Sequence, residues 1–568
     1  MHFLRRERGK KMRKRHNINR YVVCGLLAAS LAVTSLSGCS KEEEYKIPDV
    51  GYESDGSLNA YGLMEQVNGP LENVILDDKY ENYYEIFPYS YCDSDGDGIG
   101  DINGIISKLD YIQSLNVTAL WLTPVHQSTT YHKYDVVDYY SIDEDFGTLE
   151  DYENLLAECE ERDIDVIMDL VVNHTSTKND WFVQATDYLR SLEDGEEPDA
   201  SECKYVDYYN FSTKAQSGYS KVSGCDYYYE ARFWSEMPDL NLDSEDVRAE
   251  IADIMEFWIN EGVAGFRLDA TTSYYTGQNN LCIDFLSFLE ETLEALDPDA
   301  YMVGECWESY SIYTQYYSSG VDSFFDFDFS GQEGKIKSTL LNGSALNYGL
   351  FIEKVDEAMY ANNEDGIAAV FTANHDQART AGYFVGENYL NKVKMCQGLA
   401  AITGGNYFLY YGDEIGMRGS GDDQNKRLPM NWVSDEFGDG MCDSVGTSVI
   451  EQSNGTVESQ QADGDSILYY VAEANKLRLA YPEIARGTNT TIEELSDSDV
   501  LVLQKEYDGS TIYVIVNISE EEKTVDLSSL TVSGENAEIG GILVTTAEEP
   551  TIEEDMLTLP MFSIVIVK

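Results

Sequence analysis

The chain has 568 residues, of which 43% are hydrophobic and 12% aromatic, enough for one large globular domain and a smaller one. Its 103 acidic residues outnumber its 38 basic residues, and the formal net charge is −65 at pH 7. Such a surface repels nucleic acid and anionic lipid, so we expect a neutral or cationic partner and no nucleic acid. A neutral glycan fits this charge, and so does a salt-adapted or simply well-solubilised surface.

Residues 1–38 have the organisation of a secretory signal peptide. They carry nine basic side chains and one acidic one, followed by an apolar run over 21–36 that is short for a membrane span. Small residues then precede Cys39, as in a bacterial lipobox. We therefore expect a lipoprotein signal peptide over 1–38, lipidation of Cys39, and a monomer anchored by lipid to the extracellular face of a bacterial cell membrane. The alternative is a plain signal peptide with an incidental cysteine.

The segment after Cys39 is acidic and rich in Gly, Asn and Ser, so 39–80 is predicted to be a tether. Eight further cysteines are scattered without CxxC spacing, which indicates neither a zinc site nor a dense disulfide framework. A disulfide between Cys203 and Cys225 remains open.

From Tyr83 onward, short apolar strands alternate with helical patterns, which is typical of a parallel α/β fold. The eight strand candidates are Tyr84–Phe87, Val117–Leu122, Asp165–Val172, Gly265–Asp269, Tyr301–Gly304, Ser323–Phe327, Ala368–Thr372 and Tyr407–Tyr411. Eight is the number needed to close a (β/α)8 TIM barrel. We place this catalytic barrel at 81–175 and 237–486, with its last helix at Val471–Leu479.

Two regions do not fit the barrel pattern. The third and fourth strands are separated by about 90 residues rich in Tyr, Asp and Ser, so 176–236 is predicted to be a small inserted domain, domain B. Beyond Gly487 the pattern changes to alternating strands at Val500–Leu503, Thr511–Val516 and Ser563–Val567. Residues 487–568 are therefore predicted to form a C-terminal antiparallel β-sandwich domain.

A calcium loop is predicted directly after the first strand. Oxygen ligands recur at alternate positions around turn glycines, with the spacing of an EF-hand-like loop. The predicted ligands are Asp93, Asp95, Asp97, Ile99 and Asp101. The twelfth position is Gly104 rather than Glu, so the loop is not a complete EF-hand, and a metal-free acidic turn is the alternative.

Polar side chains follow the third, fourth, fifth and seventh predicted strands, where the βα loops of a barrel converge. They are Asn173, His174, Arg267, Asp269, Glu305, His375 and Asp376. A single carboxylate at a strand end often only caps the next helix. Four such coincidences in this order predict a functional site of three carboxylates and two histidines.

With these segments, the sequence resembles the α-amylase family, glycoside hydrolase family 13. The four strand-end segments match the family's short motifs in order, and the likeness covers about residues 82–568. A fifth segment, Met-Pro-Asp-Leu-Asn at 237–241, is similar to the version found in a group intermediate between oligo-1,6-glucosidases and neopullulanases. Many members of the family also carry a calcium ion after the first strand, so the resemblance implies a structural Ca²⁺.

The resemblance implies that Asp269 is the nucleophile, Glu305 the general acid/base, and Asp376 the third carboxylate, which fixes the sugar and stabilises the transition state. A retaining glycosidase needs one ionised carboxylate to attack the anomeric carbon and one protonated carboxyl to release the leaving oxygen. Arg267 lies two residues from Asp269 on the same strand, so it points to the same side and can hold that carboxylate ionised.

The resemblance also implies the substrate-binding residues. His174 and His375 are expected to hydrogen-bond sugar hydroxyls around the cleaved bond. His132 and Tyr134 belong to the segment 131–135, in which the family's tyrosine stacks under the sugar ring.

Two departures from the family pattern concern the leaving-group side of the substrate. Many α-amylases have Lys-His shortly after the nucleophile, where this chain has Thr272 and Ser273, and the usual glycine between the family's His and Tyr is Lys133. Ala270 follows the nucleophile, where Val accompanies α-1,6 cleavage in relatives of this group. Met237 likewise replaces the Gln usual in oligo-1,6-glucosidases, so both residues favour α-1,4 cleavage.

We therefore expect a retaining α-glucan hydrolase acting on starch or maltooligosaccharides. An exo-acting α-glucosidase or oligo-1,6-glucosidase, or a transglycosylase, on the same scaffold is the nearest rival. A catalytically dead, glycan-binding relative is a rival of another class, but such proteins typically lose one of the three carboxylates, and this chain keeps all three.

Overall fold

The computed structural model describes residues 51–568, except 73, 194, 435–437, 447–453 and 533–535. Eight parallel strands form its main sheet: β1 (Asn82–Ile86), β2 (Ala119–Leu122), β3 (Asp165–Leu170), β4 (Gly265–Leu268), β5 (Tyr301–Gly304), β6 (Ser323–Phe324), β7 (Ala369–Phe371) and β8 (Asn406–Tyr410). Neighbours pair in the order β6-β5-β4-β3-β2-β1-β8-β7, and a bridge between Phe325 and Ala369 joins the two ends. The predicted barrel is confirmed.

Each predicted strand overlaps an observed one, although several strands end earlier than the apolar run that predicted them. After β3, for example, Val171 and Val172 stay buried beyond the last paired residue. Both residues belong to the buried hydrophobic core, so hydrophobicity marks burial here rather than strand pairing.

The barrel interior is filled by buried apolar side chains, many of them aromatic. The rings of Tyr83 and Phe408 stack with their centroids 4.3 Å apart, and Trp121 contacts Phe325 at 5.2 Å. A filled interior makes the barrel a rigid scaffold, so that chemistry is confined to its open end.

Helices pack around the sheet and within the added regions. The α-helices span Ala60–Asn68, Ile102–Ser107, Leu109–Ser114, Leu149–Glu160, Asp180–Ser191, Glu245–Glu261, Asn279–Leu296, Tyr310–Tyr316, Lys335–Asn342, Ala345–Tyr360, Tyr389–Thr403, Asp423–Lys426, Val457–Gln461, Ile467–Ala480 and Pro482–Arg486. Short 3-10 turns lie at Pro88–Ser90, Lys204–Asp207, Thr271–Ser273, Tyr317–Ser319, Thr380–Gly382, Asp413–Ile415 and Glu493–Leu495. The predicted last barrel helix corresponds to Ile467–Ala480.

A small domain is inserted between β3 and the helix Glu245–Glu261. It contains the helix Asp180–Ser191 and a three-stranded antiparallel sheet of Phe211–Ser212, Tyr228–Glu230 and Tyr219–Lys221. A bridge between His174 and Asp239 joins the start and end of the insertion at the barrel mouth. A two-stranded sheet of His126–Ser128 and Val136–Ile142 lies in the preceding βα connection.

The C-terminal residues form two antiparallel sheets. The larger sheet pairs Thr488–Thr491, Val500–Tyr507, Ser510–Asn517, Ser563–Val567 and Ile539–Val544 in that order. The smaller one pairs Lys523–Asp526, Met556–Leu559 and Thr551–Glu553. The three strands predicted in this region all belong to the larger sheet.

The predicted tether over 39–80 is wrong for part of its length. Residues 60–68 form a helix whose N-cap side chain, Asn59, accepts a hydrogen bond from the Gly62 amide at 2.9 Å. The Asn68 side chain exchanges two hydrogen bonds with the Ile542 backbone, at 3.0 and 2.8 Å. Apolar residues recur at 60, 63, 64 and 67, which is helical spacing that the polar composition around them concealed.

The predicted signal peptide over 1–38 and lipidated Cys39 lie outside the described residues. Among the residues that are described, none of the helices is both long and apolar enough to cross a membrane. Cys203 and Cys225 are both free thiols, so the disulfide left open by the sequence is absent from this structure.

Candidate active site

A cleft of about 390 Å³ opens at the carboxyl ends of the barrel strands, and the three predicted carboxylates meet in it. Asp269 follows β4, Glu305 follows β5, and Asp376 lies beyond β7. The cleft is lined by His132, Tyr134, His174, Phe233, Met237, Asp269, Ala270, Thr272, Ser273, Glu305, Trp307, Asp376, Asp423 and Arg427. The predicted convergence of strand-end residues is therefore observed.

Arg267 is the centre of the charged network beneath the cleft. Its Nη1 donates to Asp269 Oδ1 at 2.9 Å and to both oxygens of Asp169 at 2.9 and 3.0 Å. Its Nη2 lies 2.8 Å from Glu305 Oε2. One fully buried guanidinium thus binds three carboxylates, two of which are the predicted nucleophile and the predicted acid/base.

Burial governs the protonation of Asp269 and Glu305. It raises the pKa of Asp269 to about 6, because the charge of Arg267 offsets burial only in part and Asp169 adds repulsion. Burial also raises the pKa of Glu305, against the charge of Arg267 and with the repulsion of Asp269. The sequence predicted that Arg267 would keep Asp269 ionised, but the guanidinium is shared among three carboxylates, so Asp269 is ionised only above about pH 6.

Asp376, in contrast to Asp269 and Glu305, has a lowered pKa. Burial alone would raise the pKa of Asp376, but the charges of His375 and Arg427 outweigh burial and hold that pKa well below its usual range. His375 Nε2 lies 3.1 Å from Asp376 Oδ2, and Arg427 Nη2 donates to Oδ1 at 2.6 Å. Asp376 is therefore a permanent negative charge in the cleft.

His375 follows β7 as predicted, but it is buried and does not belong to the lining of the cleft. It is fully buried, its Nδ1 lies 2.7 Å from Glu85 Oε1, and its Nε2 faces Asp376 and the Tyr134 hydroxyl. Burial would lower the pKa of His375, but the charge of Asp376 outweighs it and raises the pKa to about 9. Both ring nitrogens of His375 therefore have partners within the protein, and its predicted hydrogen bond to a sugar hydroxyl stays a prediction.

The other predicted substrate-binding residues line the cleft, except the buried Arg267. His174 Nε2 lies 3.2 Å from the Tyr134 carbonyl, and the Tyr134 amide donates to His132 Nδ1 at 3.2 Å. Burial lowers the pKa of His174 to about 4. Burial, with the charge of Arg427, lowers the pKa of His132 to about 4. Both imidazoles are neutral at pH 7 and can exchange hydrogen bonds with sugar hydroxyls.

The two departures from the family pattern differ in whether their side chains line the cleft. Lys133 adopts the left-handed backbone conformation with φ of 63°, and its buried Nζ lies 2.9 Å from Asp143 Oδ1 and 2.6 Å from Asp145 Oδ2. Its side chain therefore does not line the cleft. Thr272 and Ser273 do line it, together with Ala270 and Met237, so these two residues of the departure are in a position to contact a substrate.

Sequence reasoning missed several residues that build this site. Glu85 and Asp169 are carboxylates inside otherwise apolar strands, and that contrast was a signal that could have identified them. Arg427 comes from the connection after β8, where no strand pattern points to it. Phe233 and Trp307 each leave about half of their surface exposed at the cleft, 53% and 52% respectively, which only the structure reveals.

The predicted calcium loop brings part of its ligand set together. Carboxylate oxygens of Asp93, Asp95 and Asp101 all lie within 4.8 Å of one another. Asp97 does not belong to this group, and Ile99 could contribute only its backbone carbonyl. Hard oxygen donors at such spacing fit Ca²⁺, whose preferred ligands are carboxylate and carbonyl oxygens.

Comparisons with known proteins agree with this arrangement. The family described as alpha amylase, catalytic domain, matches residues 85–487. "Alpha-amylase 3" of Dictyoglomus thermophilum is 35% identical over 497 residues, covering 86% of this chain and 93% of the relative. A "Glucan 1,6-alpha-glucosidase" of Streptococcus pneumoniae is 30% identical over 84% of this chain and 96% of its own length. The solved structure of "Eubacterium rectale Amy13B" is similar with a TM-score of 0.86 and 44% identity, covering 89% of this chain and 98% of that one.

Proposed function

This chain belongs to the α-amylase family of glycoside hydrolases, and from that premise we propose that it hydrolyses α-1,4-glucosidic bonds of starch or maltooligosaccharides with retention of configuration. The observation that carries this proposal is the single guanidinium of Arg267 between Asp269 and Glu305, with Asp376 in the same cleft. The pKa of Asp376 is held well below its usual range, whereas burial raises the pKa values of Asp269 and Glu305, and a retaining glycosidase needs one carboxylate and one protonated carboxyl at the cleaved bond.

In the first step, a Glu305 proton passes to the glycosidic oxygen while the bond between that oxygen and the anomeric carbon breaks. The bonding electrons leave with the oxygen, and a carboxylate oxygen of Asp269 bonds to the anomeric carbon. Arg267 occupies Asp269 Oδ1, so we assign the attack to Oδ2. In the second step Glu305 takes a proton from water, whose oxygen displaces Asp269.

Asp376 has a separate role in this scheme. Its charge is fixed by His375 and Arg427, so it can accept hydrogen bonds from sugar hydroxyls and stabilise positive charge that develops on the ring. All three carboxylates lie in one cleft with an intact supporting network, which argues against a dead, glycan-binding relative.

The preference for α-1,4 over α-1,6 bonds is supported by the leaving-group side of the cleft. Ala270 and Met237 both contribute to its lining, and neither has the bulk or polarity that accompanies α-1,6 cleavage in relatives of the intermediate group. The alternative is cleavage of α-1,6 bonds, which the name of the similar glucan 1,6-α-glucosidase suggests. An exo-acting α-glucosidase and a transglycosylase on the same scaffold are further alternatives.

The deciding experiment is a time course of products from soluble starch and from maltoheptaose, with Glu305→Gln as the inactive control. Mixed maltooligosaccharides early in the course, followed by short products, support an α-amylase. Glucose as the first and only product would replace the proposal with an exo-acting α-glucosidase, and products longer than maltoheptaose would replace it with a transglycosylase.

We also propose that a structural Ca²⁺ is held by Asp93, Asp95 and Asp101. The backbone around these carboxylates is already ordered, since Asp93 accepts the amides of Gly96 and Gly98 at 2.7 and 2.8 Å. A bound divalent cation would neutralise repulsion within the loop and would take no part in the reaction.

Finally, we propose that the enzyme works as a monomer on the outer face of a bacterial membrane, anchored by lipid at Cys39. The support is the basic and apolar organisation of 1–38 and the small residues before that cysteine. The strongly acidic surface would keep the enzyme away from anionic lipid headgroups, so a covalent anchor is consistent with its charge.

A further inference from the structure

The two residues after Asp269 form a tight turn that contacts Glu305, the proposed acid/base residue. Ala270 has the left-handed conformation, with φ of 50° and ψ of 43°, which is unusual for a residue other than glycine. The Ser273 amide donates to the Ala270 carbonyl at 2.8 Å and closes the turn. A strained conformation beside a reacting group persists only when neighbouring contacts hold it.

Those contacts come from Glu305. The Thr271 amide and the Thr271 hydroxyl both donate to the Glu305 carbonyl, at 3.0 and 2.6 Å. The Ala270 amide donates to Glu305 Oε2 at 3.0 Å. Three hydrogen bonds therefore join the end of β4 to the backbone and side chain of the residue that follows β5.

The same contacts distinguish the two oxygens of Glu305. Oε2 already accepts a hydrogen bond from the Ala270 amide, and its ion-pair partner Arg267 Nη2 lies 2.8 Å away. An oxygen that accepts an N–H donor and lies beside a guanidinium is a poor place for a proton, so the acid proton belongs on Oε1. The turn therefore determines which oxygen can transfer the proton.

We propose that Thr271 is a positioning residue that holds the turn so that Glu305 presents Oε1 to the glycosidic oxygen. This inference rests on the proposed role of Glu305 as the general acid. Thr271 is fully buried, so its hydroxyl has no solvent contact that could replace the Glu305 carbonyl. Without that bond the left-handed turn relaxes, the Ala270 amide leaves Oε2, and the proton is no longer restricted to Oε1.

Thr271→Val tests this with little change of shape. Valine keeps the Cγ2 methyl group of Thr271, which packs close to Gly304, and replaces only the hydroxyl by a second methyl group. Thr271→Ser keeps the hydroxyl and is the rescue variant. Thr339→Val is the matched control, since Thr339 is equally buried and its hydroxyl has no partner within the described residues.

The readout compares maltotriose with α-maltosyl fluoride, because fluoride leaves with far less need of a proton than a sugar alkoxide. For Thr271→Val we expect kcat/KM on maltotriose to fall about tenfold or more and kcat/KM on the fluoride to fall less than about threefold. Thr271→Ser should recover most of the loss on maltotriose. Thr339→Val should leave both rates near those of the wild type.

The proposal is overturned if Thr271→Val lowers both rates equally, which would mean a general structural role, or if it lowers neither. The acid role of Glu305 is tested separately by Glu305→Gln on the same two substrates. Equal losses there would overturn that role, and the inference with it, whatever Thr271→Val does.

The pH profile gives an independent readout. The Ala270 amide lowers the pKa of Glu305, so its loss in Thr271→Val should move the alkaline limb of activity on maltotriose to higher pH. A lowered rate with an unmoved alkaline limb would contradict the positioning role.

Discussion

Arg427 Nη2 donates to Asp376 Oδ1 at 2.6 Å, and Nε of the same guanidinium donates to the carbonyl of His375. Arg427 therefore binds both Asp376 itself and the backbone of His375, whose ring is the other charged partner of Asp376. Asp376 stays ionised, whereas Asp269 and Glu305 compete for Arg267 and have raised pKa values. The cleft thus contains one fixed charge and two carboxyls whose pKa values are raised by burial.

We first predict a bell-shaped dependence of kcat/KM on pH. Asp269 must be ionised to attack, so with a pKa of about 6 activity should be lost as the pH falls through about 6. Glu305 must be protonated, so activity should also be lost as the pH rises through its raised pKa. The measurement is kcat/KM on maltotriose across the pH range.

A control tests whether Asp269 causes the acid limb of the pH profile and Glu305 the alkaline limb. With α-maltosyl fluoride as substrate, Glu305→Gln should keep the acid limb and lose the alkaline one. An acid limb at the ordinary carboxyl value near pH 4 would contradict the burial argument for Asp269.

The second prediction concerns the covalent step. Asp269→Asn should lower kcat by several orders of magnitude, because the amide cannot form the glycosyl ester. In the wild type, proton NMR should show the α-anomer of the product before mutarotation. β-Maltose as the first product would disprove the retaining mechanism, and an active Asp269→Asn would disprove the assigned nucleophile.

The eight strands and the residues at their ends could be predicted because apolar runs and strand-end polarity are local properties of the sequence. Glu85 and Arg427 could not be placed in the same way. Their roles come from pairing with His375 and Asp376, about 290 and 51 residues away in the chain. The contact between His375 and Glu85 could not be predicted for the same reason, since nothing local shows that Glu85 binds a ring nitrogen of His375.

The structure sharpens the calcium prediction by separating two neighbouring aspartates. Asp95 belongs to the carboxylate group and Asp97 does not, although both are exposed. Asp95→Asn should lower the melting temperature by a few degrees in excess calcium and weaken the dependence on added calcium, because a ligand that binds only the folded state stabilises it. Asp97→Asn is the matched control and should behave nearly like the wild type.

Differential scanning calorimetry with calcium and with chelator measures this effect. Equal melting temperatures of the wild type in the two conditions would rule out a structural calcium ion. A larger effect of Asp97→Asn than of Asp95→Asn would place the ion elsewhere in the loop.

A fourth prediction concerns location. Cys39→Ser should move the enzyme from the membrane fraction into the medium, because the thiol is the only group the lipobox can acylate. Specific activity on maltotriose should be unchanged, since the cleft is built entirely from residues of the barrel and its insertion. Cys203→Ser, which changes an unrelated free cysteine, is the control. Membrane retention of Cys39→Ser would argue against lipidation.

The last prediction concerns linkage, and it depends on the backbone of Ala270. This residue lies beside the predicted nucleophile in the cleft, so its bulk affects which orientation of the leaving sugar fits. We expect maltotriose to be cut at least about tenfold faster than isomaltotriose, since a methyl-sized difference in a pocket contributes roughly 1–3 kcal/mol. Ala270→Val should narrow this ratio.

Because Ala270 has a left-handed backbone, a β-branched residue there is strained by roughly 1–2 kcal/mol. Ala270→Val should therefore also melt at a lower temperature than the wild type, and its absolute rates on both substrates should fall. Only the ratio of the two rates within one variant reports on linkage. Ala270→Gly, which relieves the strain and adds no bulk, should keep the wild-type ratio. Comparable rates on the two linkages in the wild type would refute the α-1,4 preference and favour an oligo-1,6-glucosidase.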